Sequence, residues 1–318
     1  MKIKDLLSVP IEVLSGVPQG AHLAPLLFNL YINDISKCFL NSNYVLYADD
    51  LKIYNTIRNL NDVRGLQDDI DRFYVWCINN KLSLNIQKCK YIQFSKSCIS
   101  SSQNYYFIKN MLIEKVDLIR DLGVLLDCKL TFTQHIENCC NKALKLLGFI
   151  KRNTRDFTNI SVLKILYTSL VRSQLENCSS VWSPYFNVHM DKLDSVQRKF
   201  LRYVAFKKGT TIENLNYSNL ELEIGLNTLR KCRDCKDIVF IHKILNGLVS
   251  SPDLLSQLQL YVPPRTLRDH QTFRLTQHRT IYGENSPINR LMRNANKFKV
   301  IVNNKVINKH RLMYGTSK

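Results

Sequence analysis

Two adjacent aspartates, Asp49 and Asp50, lie in an aromatic and β-branched stretch that runs from Asn43 to Tyr54. Such flanks around two acidic residues favour a β-hairpin whose turn carries both carboxylates. Adjacent carboxylates repel each other unless a divalent cation offsets their charge, and Mg²⁺ prefers oxygen ligands of this kind. We therefore predict a metal site with Asp49 as the direct ligand and Asp50 as an auxiliary, since neighbouring strand residues face opposite sides of a sheet. The alternative is an ordinary acidic turn.

A glycine-rich loop precedes this hairpin and has the sequence Ser15-Gly16-Val17-Pro18-Gln19-Gly20. It leads into an apolar stretch from Leu23 to Ile35, which we predict to be a helix because Pro25 suits a first helical turn. Backbone amides at a helix N-terminus can bind phosphate, and glycines let a phosphate approach them closely. The Gln19 side chain could hydrogen-bond a base or a sugar. The alternative is a plain connecting loop.

Lys88 is the third candidate residue, and it lies in a stretch from residue 82 to residue 95 that we predict to be a strand. A lysine at this point could balance phosphate charge or protonate a leaving pyrophosphate. The alternative is a strand lysine that faces solvent.

A zinc site at Cys232 and Cys235 with His242 is the fourth possibility, because two residues separate the cysteines. The spacing to the histidine is short and no second pair matches, so we favour a helix with two half-buried cysteines. Most other cysteines lie in apolar segments, where they behave as small buried hydrophobes. A reducing compartment without disulfides is therefore expected.

The surrounding pattern predicts the elements that position these residues. Leu66, Ile70, Phe73 and Cys77 form one stripe of a helix from Asn61 to about Asn80, capped by Asn61 or Asp62. A short strand pair is predicted around Gly123, over residues 117–128. Helices then follow one another, the first capped by Thr133 and carrying Ile136, Cys140, Ala143, Leu147 and Ile150, and the others over 159–175, 190–206 and 226–246. Residues 265–318 hold 12 Lys and Arg against two acids, which predicts a loop-rich or conditionally ordered tail.

Positive charge is concentrated in the second part of the chain. Residues 1–130 hold 15 Lys and Arg against 13 acids, whereas residues 131–318 hold 30 against 13, a net charge of +17. Such asymmetry indicates a polyanionic partner, most simply a nucleic acid, although a basic surface can also serve solubility. Trp182, Tyr185 and Phe186 could stack on bases there or belong to a core.

Bulk composition bounds the remaining possibilities. The 318 residues are 45% hydrophobic, enough for a sizeable core. No signal-peptide pattern and no apolar run of membrane-spanning length is found in the sequence. We therefore expect a soluble intracellular protein, in the cytoplasm or the nucleus, with no membrane partner.

Four segments in order resemble motifs B to E of the reverse transcriptases of retrotransposons without long terminal repeats, especially the jockey-like elements of insects. The segments are Ser15–Gly20, Tyr47–Asp50, the stretch from Trp76 to Cys89, and Asp121–Val124. The likeness continues through Leu147–Ile150, Leu166–Tyr167, Leu170–Ser173, Val181–Trp182, Val196–Phe200 and residues 279–287, so it covers almost the whole chain. Ala24 is a mild departure, because the family usually has glycine before the proline.

The resemblance implies an α+β fold. It consists of a partial right-hand polymerase palm over residues 1–130, with an antiparallel sheet and packed helices, then a helical thumb region over 131–250 and a basic segment over 251–318. It implies RNA-directed DNA synthesis with two Mg²⁺ ions, an RNA template, a DNA primer and dNTPs. The residues that it assigns are Asp49, Asp50 and Lys88 for catalysis, Ser15, Gly16, Pro18, Gln19, Gly20 and Tyr47 for nucleotide and template, and Leu122 and Gly123 for the primer grip.

The family also carries an aspartate in motif A, well upstream of motif B, and motif B begins here at Ser15. We therefore expect little or no polymerase activity from this chain alone, because one Asp-Asp turn cannot fix two metal ions. The alternatives are a non-catalytic basic nucleic-acid-binding protein and a decayed element without a role. The hairpin would also present an open edge, which favours aggregation.

Overall fold

The computed structural model describes residues 2–3, 6–7, 16, 20–95, 104–210, 215–261 and 271–298. The chain divides into two compact units, Met1–Asp117 and Leu118–Lys318. Among the described residues, no helix has both the length and the apolar character needed to cross a membrane.

The first unit combines short strands with one long helix. Its helices are α1 (Ala24–Tyr31), a 3₁₀ helix (Asn33–Cys38), α2 (Leu60–Asn79) and a 3₁₀ turn (Ile86–Lys88). Its strands are β1 (Lys2–Ile3), β2 (Leu6–Leu7), β3 (Asn43–Tyr47), β4 (Asp50–Tyr54), β5 (Lys90–Tyr91), β6 (Phe107–Ile108), β7 (Met111–Leu112) and β8 (Glu114–Lys115). They form separate antiparallel pairs, β1 with β2, β3 with β4 and β6 with β7, and one parallel pair, β5 with β8.

Helix α2 forms where the apolar stripe predicts it, with Ile70, Phe73 and Cys77 buried. The predicted cap is wrong by a few residues. Asn59 is the N-cap and accepts a hydrogen bond from the Asp62 N–H, while the Asp62 carboxylate accepts one from the Asn59 N–H. This reciprocal pair satisfies backbone donors that a helix start leaves open.

Two predicted elements of this unit are shorter than expected. The apolar stretch from Leu23 to Ile35 forms an α-helix only over Ala24–Tyr31 and continues as the 3₁₀ helix, whose Ile35 and Cys38 are buried. The predicted strand over 82–95 is reduced to Lys90–Tyr91. Its earlier part forms the 3₁₀ turn Ile86–Lys88, in which the Lys88 N–H donates to the Asn85 carbonyl at 3.1 Å.

The second unit begins with a hairpin and continues with helices. Strands β9 (Leu118–Asp121) and β10 (Val124–Asp127) pair in antiparallel fashion. The helices are α3 (Thr133–Asn153), α4 (Ile160–Leu166), a π-helix (Tyr167–Arg172), α5 (Ser173–Glu176), α6 (Ser179–Trp182), α7 (Asn187–Lys207), α8 (Tyr217–Glu223), α9 (Leu229–Leu245), α10 (Pro252–Gln257), α11 (Ile281–Glu284) and α12 (Pro287–Lys297). The predicted helices over 133–150, 159–175, 190–206 and 226–246 are confirmed within a few residues at each end.

Thr133 is the first residue of α3 rather than its cap, so that prediction is wrong. Phe132 occupies the cap position with φ 58°, in the left-handed region. The Asp127 carboxylate at the end of β10 accepts hydrogen bonds from the Phe132 N–H at 2.7 Å and the Thr131 N–H at 3.0 Å. These bonds hold the loop that leads into α3, while no side chain caps the helix itself.

The main core of this unit lies between α3, the helical segment from α4 to α5, and α7. The predicted α3 stripe is confirmed, since all five of its residues are buried. The Tyr167 and Phe200 rings stack at 4.1 Å between centroids, and the Tyr167 hydroxyl donates to Gln197 Oε1. Trp182 is also fully buried and donates from Nε1 to the Asn177 carbonyl, so its core alternative is confirmed.

A second cluster joins α9 to the basic C-terminal segment. Ile238, Ile241 and Ile244 pack with Phe273 and with α12 residues Leu291, Met292 and Ala295. Arg290 binds Asp237 at 2.9 Å, and Asn294 donates to the same carboxylate. The expectation of a loop-rich tail is therefore wrong for residues 281–297, because a few well-placed apolar side chains give α12 a core to cover.

Candidate active site

The two aspartates lie at the tip of the β3–β4 hairpin, as predicted. Tyr47 pairs with Asp50, and Ala48 and Asp49 form a two-residue turn between them. Such a turn requires a positive φ at its first central residue to match the twist of the strands. Ala48 has φ 53°, so the hairpin holds a non-glycine residue in the left-handed region at its tip.

Strand register assigns the hairpin side chains to two faces. Tyr44, Leu51 and Ile53 pack on the interior of the unit. Tyr47 and Asp50 lie on the opposite face with Val45, and Tyr47 is 62% exposed. Asp49 and Asp50 are both exposed, so a metal ion or a phosphate can reach either carboxylate. They are inequivalent because Asp49 belongs to the turn and Asp50 to the strand.

Asp69 on α2 holds the segment that enters this hairpin, and it is not among the site residues predicted from the sequence. Its buried carboxylate accepts hydrogen bonds from the N–H groups of Leu40 and Asn41 and from both N–H and hydroxyl of Ser42, at 2.5–3.2 Å. It also forms an ion pair with Arg72. One carboxylate of α2 thus fixes three consecutive residues just before β3.

Gly65 permits the same segment to approach α2 closely. A Cβ atom at Gly65 would lie 3.0 Å from the Cβ of Asn41, which is tighter than nine in ten real Cβ contacts. The Asn41 side chain also donates to the Gly65 carbonyl. Helix α2 therefore positions the hairpin in two ways. The Asp69 carboxylate binds the segment before β3, and Gly65 leaves room for that segment to approach the helix.

The pKa of Asp69 follows from these contacts. Burial alone raises it, but the hydrogen bonds from the Ser42 hydroxyl and from the backbone N–H groups outweigh burial, and the pKa lies below its ordinary value. The carboxylate is therefore ionised near neutral pH, which lets it accept every one of these bonds.

Lys88 is exposed at the end of the 3₁₀ turn, not inside a strand, so that part of its prediction is wrong. The turn is fixed by Ile86, which packs in a small core with Ile53 of the hairpin and Ile70 of α2. One cluster thus supports both the strand after Asp50 and the turn that carries Lys88.

Of the glycine-rich loop, the structure describes Gly16 and Gly20. Both have positive φ values, 90° and 83°. The other assigned residues of this loop, Ser15, Pro18 and Gln19, lie outside the described residues. Their assignment to nucleotide and template binding stays a prediction.

The residues assigned to the primer grip belong to the second unit. Leu122 and Gly123 form the two-residue turn between β9 and β10, with φ values of 43° and 89°. Both central residues of this turn are left-handed, which glycine accepts without strain. The hairpin packs on α3 through Val124 and through the Leu125 N–H, which donates to His135 Nδ1.

Among the described residues, no group of three or more His, Cys, Asp or Glu side chains is arranged to hold a metal ion. Cys232 and Cys235 are both buried on α9, as the helical alternative predicts. Burial raises the pKa of the Cys232 thiol to about 11, and Arg172 donates to its sulfur.

A family model described as reverse transcriptase (RNA-dependent DNA polymerase) matches residues 4–150. Over 250 residues the chain is 22% identical to a probable RNA-directed DNA polymerase from transposon BS of Drosophila melanogaster, covering 72% of this chain and 27% of that protein. Over 208 residues it is 27% identical to the RNA-directed DNA polymerase from mobile element jockey of the same species. This match covers 61% of this chain and 22% of the jockey polymerase. A probable RNA-directed DNA polymerase from transposon X-element of the same species is 23% identical over 223 residues. This match covers 67% of this chain and 24% of that protein.

The chain thus spans about a quarter of the length of these relatives. No solved structure matches it. The family model includes the hairpin with Asp49 and Asp50, helix α2 and the turn at Gly123. Residues 4–150 therefore match the reverse transcriptase family, and over a longer span the chain is similar to the polymerases of jockey-like retrotransposons that lack long terminal repeats.

Proposed function

We propose that this chain is part of an RNA-directed DNA polymerase of a mobile element, and that Asp49 and Asp50 bind its catalytic magnesium. The observation that carries the proposal is the exposed hairpin tip with two adjacent carboxylates inside the reverse transcriptase domain. Its substrates would be an RNA template, a DNA primer and dNTPs. The thumb role of residues 131–250 and the nucleic-acid contacts of residues 251–318 belong to the same proposal.

The donor set at the hairpin fits magnesium, which is commonly held by one or two carboxylates together with substrate phosphates and water. Asp49 in the turn would be the direct ligand and Asp50 the auxiliary one. The bound metal would activate the primer hydroxyl and neutralise charge on the triphosphate. The exposed Tyr47 ring on the face of Asp50 offers a surface for a sugar or a base, and Lys88 would balance phosphate charge.

Two ions about 3.5–4 Å apart need more carboxylates than this hairpin supplies. The described residues contain no third acidic group arranged with Asp49 and Asp50 to hold a metal. We therefore propose that the site needs a further aspartate, in the role of the family's motif A, and that the 318-residue chain alone extends primers weakly or not at all.

Metal binding and primer extension test these proposals separately. Mn²⁺ binding to the full chain can be followed by electron paramagnetic resonance, and Asp49→Ala should weaken it about tenfold or more because a direct ligand is lost. Asp68→Ala is the matched control, since Asp68 is an exposed aspartate on α2. Equal Mn²⁺ binding by wild type and Asp49→Ala would contradict the metal site. Robust extension of an RNA-templated primer by the wild-type chain would contradict the need for a further aspartate.

A second candidate is a basic protein that binds nucleic acid without catalysis, favoured by the net charge of +17 over residues 131–318. Under this alternative, Asp49→Ala leaves nucleic-acid binding unchanged and no variant extends a primer. Binding that decreases steeply with salt, together with equal Mn²⁺ binding by wild type and Asp49→Ala, would support it, since the first proposal also expects little or no extension by this chain alone.

A further inference from the structure

The C-terminal ends of α3 and α7 meet in the second unit and enclose a groove of about 420 Å³. The two helix ends are joined by Tyr203, whose hydroxyl bonds both the hydroxyl of Thr154 at 2.8 Å and its carbonyl at 3.0 Å, and by Lys207, which donates to the Arg155 carbonyl. We call it the basic groove, and its lining residues are Lys151, Arg152, Arg155, Tyr203, Phe206 and Lys207.

Within the part of the chain that the structure describes, the cations of the basic groove have no acidic partners. Among the ion pairs that the described residues form, none includes Lys151, Arg152, Arg155 or Lys207. Lys192 of α7, by contrast, forms an ion pair with Glu137 at 2.6 Å. The basic groove thus concentrates positive charge that no acidic side chain of the described residues neutralises.

Two of these cations share one aromatic ring. The ammonium groups of Lys151 and Lys207 lie 5.6 Å and 5.7 Å from the centroid of the Tyr203 ring. The Tyr203 ring thus attracts both ammonium groups through cation–π interactions. Burial lowers the pKa of Lys151, and the neighbouring charges of Lys199 and Arg202 lower it further. An anion in the groove would relieve this repulsion.

Phe206 adds an aromatic surface next to these charges. It lies on the last turn of α7 and is 75% exposed, although it is a large apolar side chain. Exposed aromatic rings beside cations are the combination that holds single-stranded nucleic acids, because bases stack on the ring while phosphates meet the cations. Duplexes keep their base faces stacked on one another, so they cannot use Phe206 in this way.

We propose that the basic groove binds single-stranded nucleic acid, with phosphates on Lys151, Arg152, Arg155 and Lys207 and a base on Phe206. The site stands on the second unit alone and makes no use of Asp49 or Asp50. It would hold a single strand whether or not the hairpin catalyses synthesis.

Fluorescence anisotropy of the full chain with a short labelled single strand tests the groove. Lys151→Gln combined with Lys207→Gln should weaken binding about tenfold near 0.15 M salt and reduce the slope of log K against log salt by about 1.4, since each lost phosphate contact removes about 0.7. Phe206→Ala should weaken binding about fivefold or more through lost stacking. Single-stranded RNA and single-stranded DNA are measured in parallel to show which the groove prefers.

Three controls make the test decisive. Lys192→Gln removes an ion-paired lysine from the same helix and should bind as wild type does, and circular dichroism should show all variants folded. Asp49→Ala should bind normally, so loss of the metal site and loss of the groove give different results. The proposal is overturned if the double variant keeps wild-type affinity, if a duplex binds more tightly than the single strand, or if only phosphatidylserine vesicles bind.

Discussion

Asp69 shows how one buried carboxylate can set the position of an exposed catalytic candidate. It accepts the backbone donors of three residues just before β3, and Arg72 balances its charge. A buried charge is tolerated when it is paired and fully hydrogen-bonded, whereas removal of its charge leaves several donors unsatisfied. The hairpin that carries Asp49 therefore depends on a residue of α2.

Asp69→Asn should destabilise the first unit by about 3 kcal/mol, because an amide replaces an acceptor of several charge-assisted bonds. The folded-state pKa of Asp69 lies below the ordinary value of 3.8, so its stabilisation is present above that pH and is lost as pH falls through the folded pKa. Urea unfolding measures both effects. Asp68→Asn is the control and should leave the urea midpoint unchanged.

At the residue scale, the exposed aspartates could be predicted and Asp69 could not. Asp49 and Asp50 are marked by their apolar flanks, a local signal that a hairpin turn explains. Asp69 lies among other acids of the same helix, and its partners at Leu40–Ser42 are distant in sequence. Its one usable signal is that it lies three residues after Leu66 and four before Phe73, on the apolar side of α2.

At the element scale, His135 joins the β9–β10 hairpin to α3. It is buried, its Nδ1 accepts the Leu125 N–H at 3.2 Å, and its ring meets Trp182 edge to face at 5.0 Å. Burial lowers its pKa, and the charges of Lys142 and Arg120 lower it further. The neutral ring is therefore the form that the folded unit prefers.

The second unit should lose stability as pH falls below about 6.5, since the unfolded chain then binds a proton that folded His135 resists. His135→Gln should lower the free energy of unfolding by about 1 kcal/mol at neutral pH, because a hydrogen bond is lost. The free energy of unfolding of the variant should then decrease less than that of the wild type between neutral and mildly acidic pH. Urea midpoints of both proteins across this range measure the difference. An equally steep decrease in the variant would rule out His135 as the titrating group.

Long amphipathic helices were predictable at this scale, because a continuous apolar stripe identifies them. Helix α12 was missed, because its sequence is rich in Asn and Arg and the polar composition of the tail favoured a loop. Its few apolar residues, Ile288, Leu291, Met292 and Ala295, nevertheless follow the helical period, so the signal was present in the sequence. In the structure this apolar face contacts Ile238 and Phe273, and Asn294 bonds Asp237 on α9.

At the scale of the whole molecule, the change of sequence texture near residue 131 marks where the helices begin. The compact unit begins earlier, at Leu118, because Val124 of the hairpin packs into the helical core. The first unit, by contrast, leaves apolar side chains exposed on α1, at Leu26 and Leu30, and on the hairpin, at Val45 and Tyr47. Its β3–β4 pair has no third strand among the described residues.

A fragment of residues 118–318 should therefore fold alone, with a helical circular dichroism spectrum and a cooperative urea transition, because it contains two complete hydrophobic clusters. A fragment of residues 1–117 should aggregate, because it exposes strand edges and apolar surface. Sedimentation and urea unfolding of the two fragments check this. A non-cooperative transition in the longer fragment would contradict it.

The π-helix between α4 and α5 has a consequence for how such sequences are compared. Leu163, Tyr167, Val171 and Leu175 are all buried although they are spaced by four, and in a regular α-helix each such step drifts by about 40° around the axis. The wider π-turn absorbs this drift and keeps the four side chains on one side. A relative with one residue fewer here would need a gap inside a helix in its alignment. A sustained spacing of four buried residues is therefore a readable mark of a π-turn inside a helical segment.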